Sequence, residues 1–265
     1  MPPGAVTIRP TIDRAWLERS GAADPLAHAY ALWDLDRYPD RVRFVSALRG
    51  EVTTGYLLIW LGHPTTPIVH WFGATEEGAE LAASLPSRPV VVIAPEEARP
   101  AVERARGPVV HRPLLGLLAD PRAPLPDADP SHVTRRLAGA DRPQLVALTS
   151  GRSELAASEY PQLDPDAEGV WGCFEGAQLR GVARAAVALP SVWILGGVFV
   201  DPGARGRGFG FSLVRAVVTE GRAAGVTIGL RVREDQHAAR TIYERAGFRP
   251  VRRYAWMSAG TELEP

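Results

Sequence analysis

Residues 198–210, read as VFVDPGARGRGFG, carry the densest chemical signal in the chain. A strand-forming stretch, Val198, Phe199 and Val200, runs through Asp201 and Pro202 into Gly203, Arg205, Gly206, Arg207, Gly208 and Gly210. Glycines let a backbone approach an oxyanion without Cβ interference, and Arg205 and Arg207 supply charge-assisted donors. The stripe that follows, Leu213, Val214, Val217 and Val218, has the spacing of a core-facing helix. The first N–H groups of such a helix lack intrahelical partners, and its macrodipole favours an anion. Strand, glycine loop and helix entrance together predict a cradle for phosphate.

Several phosphate-binding schemes are excluded by residues the chain lacks. There is no Lys and no Asn, so all thirty basic side chains are Arg. That removes the GxxxxGK[ST] loop, the lysine Schiff base and the lysine general base. A dinucleotide GxGxxG counted from Gly206 meets Gly208 and then Phe211. The single Cys173 cannot form an intrachain disulfide, which fits a reducing cytoplasm. The six histidines show no HxxxH spacing, and no metal is expected.

The remaining scheme resembles the GCN5-related N-acetyltransferases (GNAT), whose acyl-CoA loop has Arg or Gln, two residues, Gly, one residue, then Gly or Ala. Arg205, Gly208 and Gly210 match it, and the residues Val-Phe-Val-Asp-Pro before it look like the family's fourth strand. Gln236, Ala239, Tyr243 and the pair Gly247-Phe248 fall at the spacings of the family's last helix motif, with Gln236 in place of the usual Asn. The likeness covers residues 132–260 and implies acetyl-CoA, or a related acyl-CoA, as donor cosubstrate. By that resemblance, the backbone of Val198, Phe199 and Val200 pairs with the pantetheine arm and one amide there polarises the thioester carbonyl. The pyrophosphate is wrapped by Gly206, Arg207, Gly208, Phe209, Gly210 and Phe211, with Arg205 beside it and Gln236 as a further contact. Gly196 and Gly197 sit where the family's strand bulges and splays open. Tyr243 takes the role of protonating the departing CoA thiolate; by helical spacing alone it shares a stripe with Ala239 and Ala246 and reads as a half-buried core residue.

Direct attack by an amine requires a neutral nitrogen, yet residues 191–200 contain no acid. Where some relatives carry an acid five residues before the Asn position, this chain has Arg231. Glu154, Glu159, Glu175 and Glu234 remain as candidate proton acceptors, each equally readable as a surface charge.

The elements that must position these groups divide the chain of 265 residues into two domains. Apolar types make up 46% and charged types 23%, enough for a buried core and too apolar for disorder. Thirty basic residues balance thirty acidic ones, so no global field favours nucleic acid or an anionic membrane. The N-terminus carries Arg, Asp and Glu where a signal peptide needs an apolar core. The longest uncharged stretch, residues 53–75, is interrupted by Gly55, Pro64 and Pro67 and reads as strands and a turn rather than a membrane span.

Residues 119–131, ADPRAPLPDADPS, have the proline content of a surface linker. Before it, residues 1–118 read as an α/β domain, a related or degenerate acetyltransferase half without RxxGxG. Its pieces are a helix over 13–33, strands over 41–48, 54–61 and 68–72, and then alternating helix and strand: 76–85, 89–93, 96–106 and 109–117. After it, residues 132–265 read as the acetyltransferase domain. Strands are expected at 132–137, 170–175, 178–189, 191–200, 226–232 and 251–257, and helices at 142–149, from the glycine loop to Gly225, and at 236–246. The expected fold is therefore α/β, a mixed, mostly antiparallel GNAT-type sheet flanked by helices and preceded by a second α/β domain. The expected activity is transfer of an acyl group, taken as acetyl, to an amine of a small molecule or peptide by direct attack. The rival expectation is a non-catalytic acyl-CoA-binding sensor or interaction module.

Overall fold

A computed structural model describes residues 6–73, 78–151, 160, 163–166, 169–261 and 263. The chain divides into two compact units, Met1–Gly116 together with Arg252–Pro265, and Leu117–Val251.

The first unit contains β1 (Val6–Arg9), α1 (Arg14–Ala23), α2 (Pro25–Arg37), β2 (Val42–Arg49), β3 (Val52–Trp60), β4 (Ile68–Gly73), α3 (Gly78–Ala83), β5 (Val90–Pro95), α4 (Arg99–Arg106) and β6 (Val110–Ala119). The one helix expected over 13–33 is two. Asp24 closes α1 and opens α2, its carboxylate accepting from the Ala27 N–H at 3.2 Å while Pro25 takes the first helical position. Strands β1 to β4 pair antiparallel in sequence, and β5 joins β4 in parallel over Ile68, Val69 and His70.

Residues Val90 to Ala94 of β5 are all buried, so their ladder needs a partner on its other edge as well. That partner is β12 (Phe248–Ala259), whose Tyr254 to Ala259 pair antiparallel with β5. Residues 252–265 were expected in the second domain; their contacts instead place them with the first unit. On one face of this sheet Leu57, Trp71, Leu81, Val92, Val102 and Met257 pack together, and on another Leu17, Phe44, Tyr56 and Leu58.

The second unit contains β7 (His132–Arg136), α5 (Arg142–Thr149), β8 (Val170–Glu175), β9 (Gln178–Ala188), β10 (Val192–Val200), α6 (Phe209–Ala223), β11 (Thr227–Arg233) and α7 (His237–Arg245). Its sheet order is β7-β8-β9-β10-β11, antiparallel except for the β10–β11 pair. The succession of three antiparallel neighbours and one parallel one is the same in both units. Leu137, Leu145, Tyr160, Phe174, Val182 and Phe199 form the core on the α5 side, while Phe211, Leu213, Val214, Val217 and Val218 are the buried stripe of α6. The proline-rich segment is tied to this unit: the Asp120 N–H donates to the Gly247 carbonyl, and Arg215 donates to the Pro126 carbonyl at 2.8 Å. Among the described residues, no helix is long and apolar enough to cross a membrane.

Candidate active site

The two parallel strands of the second unit touch only at their beginnings. Val192, Trp193 and Ile194 of β10 pair with Thr227, Ile228 and Gly229 of β11. Beyond them, the register partners of β10 among the described residues lie on β9 alone, and the register shifts twice, after Ile194 and again between Gly196 and Phe199. Gly197 has φ +58°, a backbone state that glycine adopts without penalty and that turns a bulge here. Among the described residues, no strand pairs with residues 195–200 on the side facing β11, and such an edge can pair with an extended ligand through backbone N–H and C=O groups.

Past Val200 the chain makes a short turn, in which the Ala204 N–H donates to the Asp201 carbonyl at 2.8 Å, and then enters α6 through Gly208, the N-cap, at φ +91°. No side chain caps this helix. Gly206 has φ +78°, and a Cβ built there would meet no atom within 4 Å, so the loop faces open space. At Gly210 the space is tighter: a Cβ there would lie 3.0 Å from Ile242 Cδ1 of α7, so that side-chain end would have to give by a few tenths of an ångström. Phe209 and Phe211 are buried, the first stacked on His132 at 4.0 Å and the second under the Arg245 guanidinium at 3.9 Å. Both therefore offer an anion only their backbone N–H groups.

The two loop arginines are exposed and already engaged. Arg205 donates from Nε to the Val200 carbonyl at 3.2 Å and lies 5.8 Å from the Phe199 ring. Arg207 forms an ion pair with Glu175, which Arg180 also holds at 2.9 Å. The hydrogen bond from Arg207, and then that from Arg180, keep the Glu175 carboxyl below the usual carboxylate range. Expected as a candidate proton acceptor, Glu175 is instead an anion fixed by two guanidinium groups. Glu154 and Glu159 lie outside the described residues, and Glu234, before α7, accepts an Arg240 hydrogen bond at its carbonyl.

Tyr243 projects from α7, is 9% exposed, and meets Phe248 edge-on at 5.7 Å. Burial pushes its hydroxyl up to about 12, so it holds its proton at neutral pH. Gln236 is the exposed N-cap of α7, and its side chain makes no capping bond. Two residues that sequence spacing did not single out complete the arrangement. His132 Nδ1 lies 2.9 Å from Ser212 Oγ, beneath the loop. Tyr160, fully buried, donates its hydroxyl to the Gly197 carbonyl at 2.7 Å. Neither carried a sequence signal, since Tyr160 falls in an aperiodic polar stretch.

Comparison with known proteins agrees with this geometry. The profile of the acetyltransferase (GNAT) family matches residues 141–248. No curated protein sequence matches the chain. Among solved structures, a Drosophila protein superposes with a TM-score of 0.72 at 16% identity, covering 97% of this chain and 100% of its own. A GCN5-related N-acetyltransferase from Sphaerobacter thermophilus gives 0.63 at 16% identity, covering 97% and 98%. A tandem GNAT protein from the clavulanic acid biosynthesis pathway gives 0.57 at 14% identity, covering 98% and 100%. At these identities the likeness is one of fold, and it extends over nearly the whole chain.

Proposed function

Since residues 141–248 match the GNAT acetyltransferase family, we propose that the chain moves an acetyl group from acetyl-CoA to an amine of a small molecule or peptide by direct attack. The pantetheine arm lies along the uncovered edge of residues 198–200 and the pyrophosphate rests on the N–H groups of 206–211, with Arg205 and Arg207 beside it. The neutral amine nitrogen attacks the thioester carbon, the C–N bond forms, and the C–S bond breaks as the tetrahedral centre collapses. The amine's surplus proton leaves to water, Tyr243 gives its proton to the departing thiolate, and the resulting phenolate takes a proton back from water. The observation that carries this reading is the one-sided pairing of β10 beyond Ile194.

The first unit is a diverged copy that takes no acyl-CoA of its own. It repeats the strand succession, but residues 74–77, Ala-Thr-Glu-Glu, stand between β4 and α3 where the second unit has Asp201 to Gly208 between β10 and α6. In sequence those four positions hold two acidic residues and no arginine, and residues 1–118 contain no RxxGxG. A single buried cysteine, Cys173, suits the cytoplasm.

Release of free CoA thiol from acetyl-CoA, measured with a panel of amines, tests the activity. Tyr243→Phe should lower kcat by about 100-fold, the lower end of general acid catalysis, while the acetyl-CoA Kd stays put. The sensor alternative, favoured by the absence of an acid in residues 191–200, requires binding without thiol release for every amine.

A further inference from the structure

We propose that Tyr160 is a positioning residue for this reaction, holding the Gly197 carbonyl so that the N–H of the next residue, Val198, is aimed at the thioester oxygen. The inference rests on the acyltransferase reading above. In a trans peptide the carbonyl of one residue and the N–H of the next share a plane and point in opposite directions. In a regular strand both lie in the sheet, directed at neighbouring strands. At Gly197 this pattern is broken. The residue falls between the pairs Gly196–Arg184 and Phe199–Val182, where the register shifts, and its φ is +58°.

Its carbonyl is taken by a side chain rather than by a strand. The Tyr160 hydroxyl donates to it at 2.7 Å from within the cluster of Leu145, Val182 and Phe199. That fixes one end of the peptide plane, so the Val198 N–H points away from Tyr160 and from the cluster of Leu145, Val182 and Phe199, and we assign it to the thioester oxygen. A donor fixed before the reaction costs no reorganisation when negative charge develops on the thioester oxygen. Tyr160 is 0% exposed, and burial drives its hydroxyl pKa upward, so it remains a donor across the working pH range. It donates to a backbone carbonyl and is therefore not the acid that meets the thiolate; that part falls to Tyr243.

The test compares the full chain with Tyr160→Phe, using acetyl-CoA labelled with 13C at the carbonyl. In the parent protein the carbonyl stretch of bound acetyl-CoA should fall below its value in water, and Tyr160→Phe should return it toward that value. The variant should lose about 10- to 100-fold in kcat, somewhat less than removal of an oxyanion donor outright, with KM for acetyl-CoA changed by less than about threefold. A variant that keeps the shifted stretch and the parental kcat overturns the proposal. If the variant fails to fold, the parent protein still decides. The Val198 amide proton resonance should move downfield with acetyl-CoA but not with CoA, and equal positions in the two complexes refute the assignment. Failure of the parent to bind acetyl-CoA at all would instead refute the acyltransferase reading beneath it.

Discussion

Replacing Asp34 with Asn should change how stability depends on pH in a direction set by two buried groups of the first unit. Asp34, on α2, is 7% exposed, and burial raises its carboxyl from 3.8 to about 7. His28, one turn and a half earlier, is 1% exposed, lies 3.0 Å from the Tyr56 hydroxyl through Nδ1, and is lowered by burial from 6.5 to about 4. The folded state therefore holds the Asp34 proton that the unfolded chain releases. Its contribution is complete below pH 3.8 and is lost as pH rises through 7, about 4 kcal/mol over some three pH units. His28 acts in the opposite sense: the folded state refuses a proton that the unfolded chain binds. Its contribution is present above pH 6.5 and is lost as pH falls toward 4, about 3 kcal/mol. Between pH 4 and 6.5 the two slopes nearly cancel, and the parent should be insensitive to pH there as far as this pair is concerned. Asp34→Asn removes one slope. Urea unfolding should show the variant close to the parent at pH 4, gaining on it steadily, and ahead by about 4 kcal/mol at pH 8. A difference that does not grow with pH would show that Asp34 is not a buried, protonated acid and would refute the reasoning.

Two further predictions concern the loop. Gly208→Glu places a side chain at φ +91° and a carboxylate at the helix entrance; it should leave the chain folded, at a strain of about 1–2 kcal/mol, and reduce acetyl-CoA affinity by at least about 100-fold in calorimetry. Glu175→Gln frees Arg207 from the carboxylate that now engages it, and because exposed pairs are weak the acetyl-CoA Kd should fall by only about two- to fivefold; a weaker Kd would mean that Glu175 supports the loop rather than competes for it.

The conformation of the loop was legible because it is local. Glycines at 206 and 208, arginines at 205 and 207 and an apolar helical stripe all lie within a few turns of chain, and the strand, turn and helix formed where their spacing placed them. The Gly196-Gly197 pair likewise marked the bulge. What the sequence hid depends on distant partners. Nothing in the period of residues 252–259 tells which sheet they join, and the answer comes from the need of the all-buried β5 for a second edge. The pairing of Arg207 with Glu175 spans 32 positions, and the bond from Tyr160 to Gly197 spans 37; neither belongs to a local pattern. The break at Asp24 and Pro25 was present as a cap signal, but the apolar residues on either side masked it. The plan shared by the two units could be expected only as a related or degenerate half, because residues 1–118 carry no RxxGxG to announce it.

Amide hydrogen exchange with and without acetyl-CoA tests the central claim most directly, because it reads the backbone groups themselves. Protection should appear at residues 198–200 and 206–211, with one equivalent of acetyl-CoA per chain sufficient to saturate it and no change in residues 71–73 of β4. Unchanged exchange along residues 198–200 in the presence of bound acetyl-CoA would contradict the account.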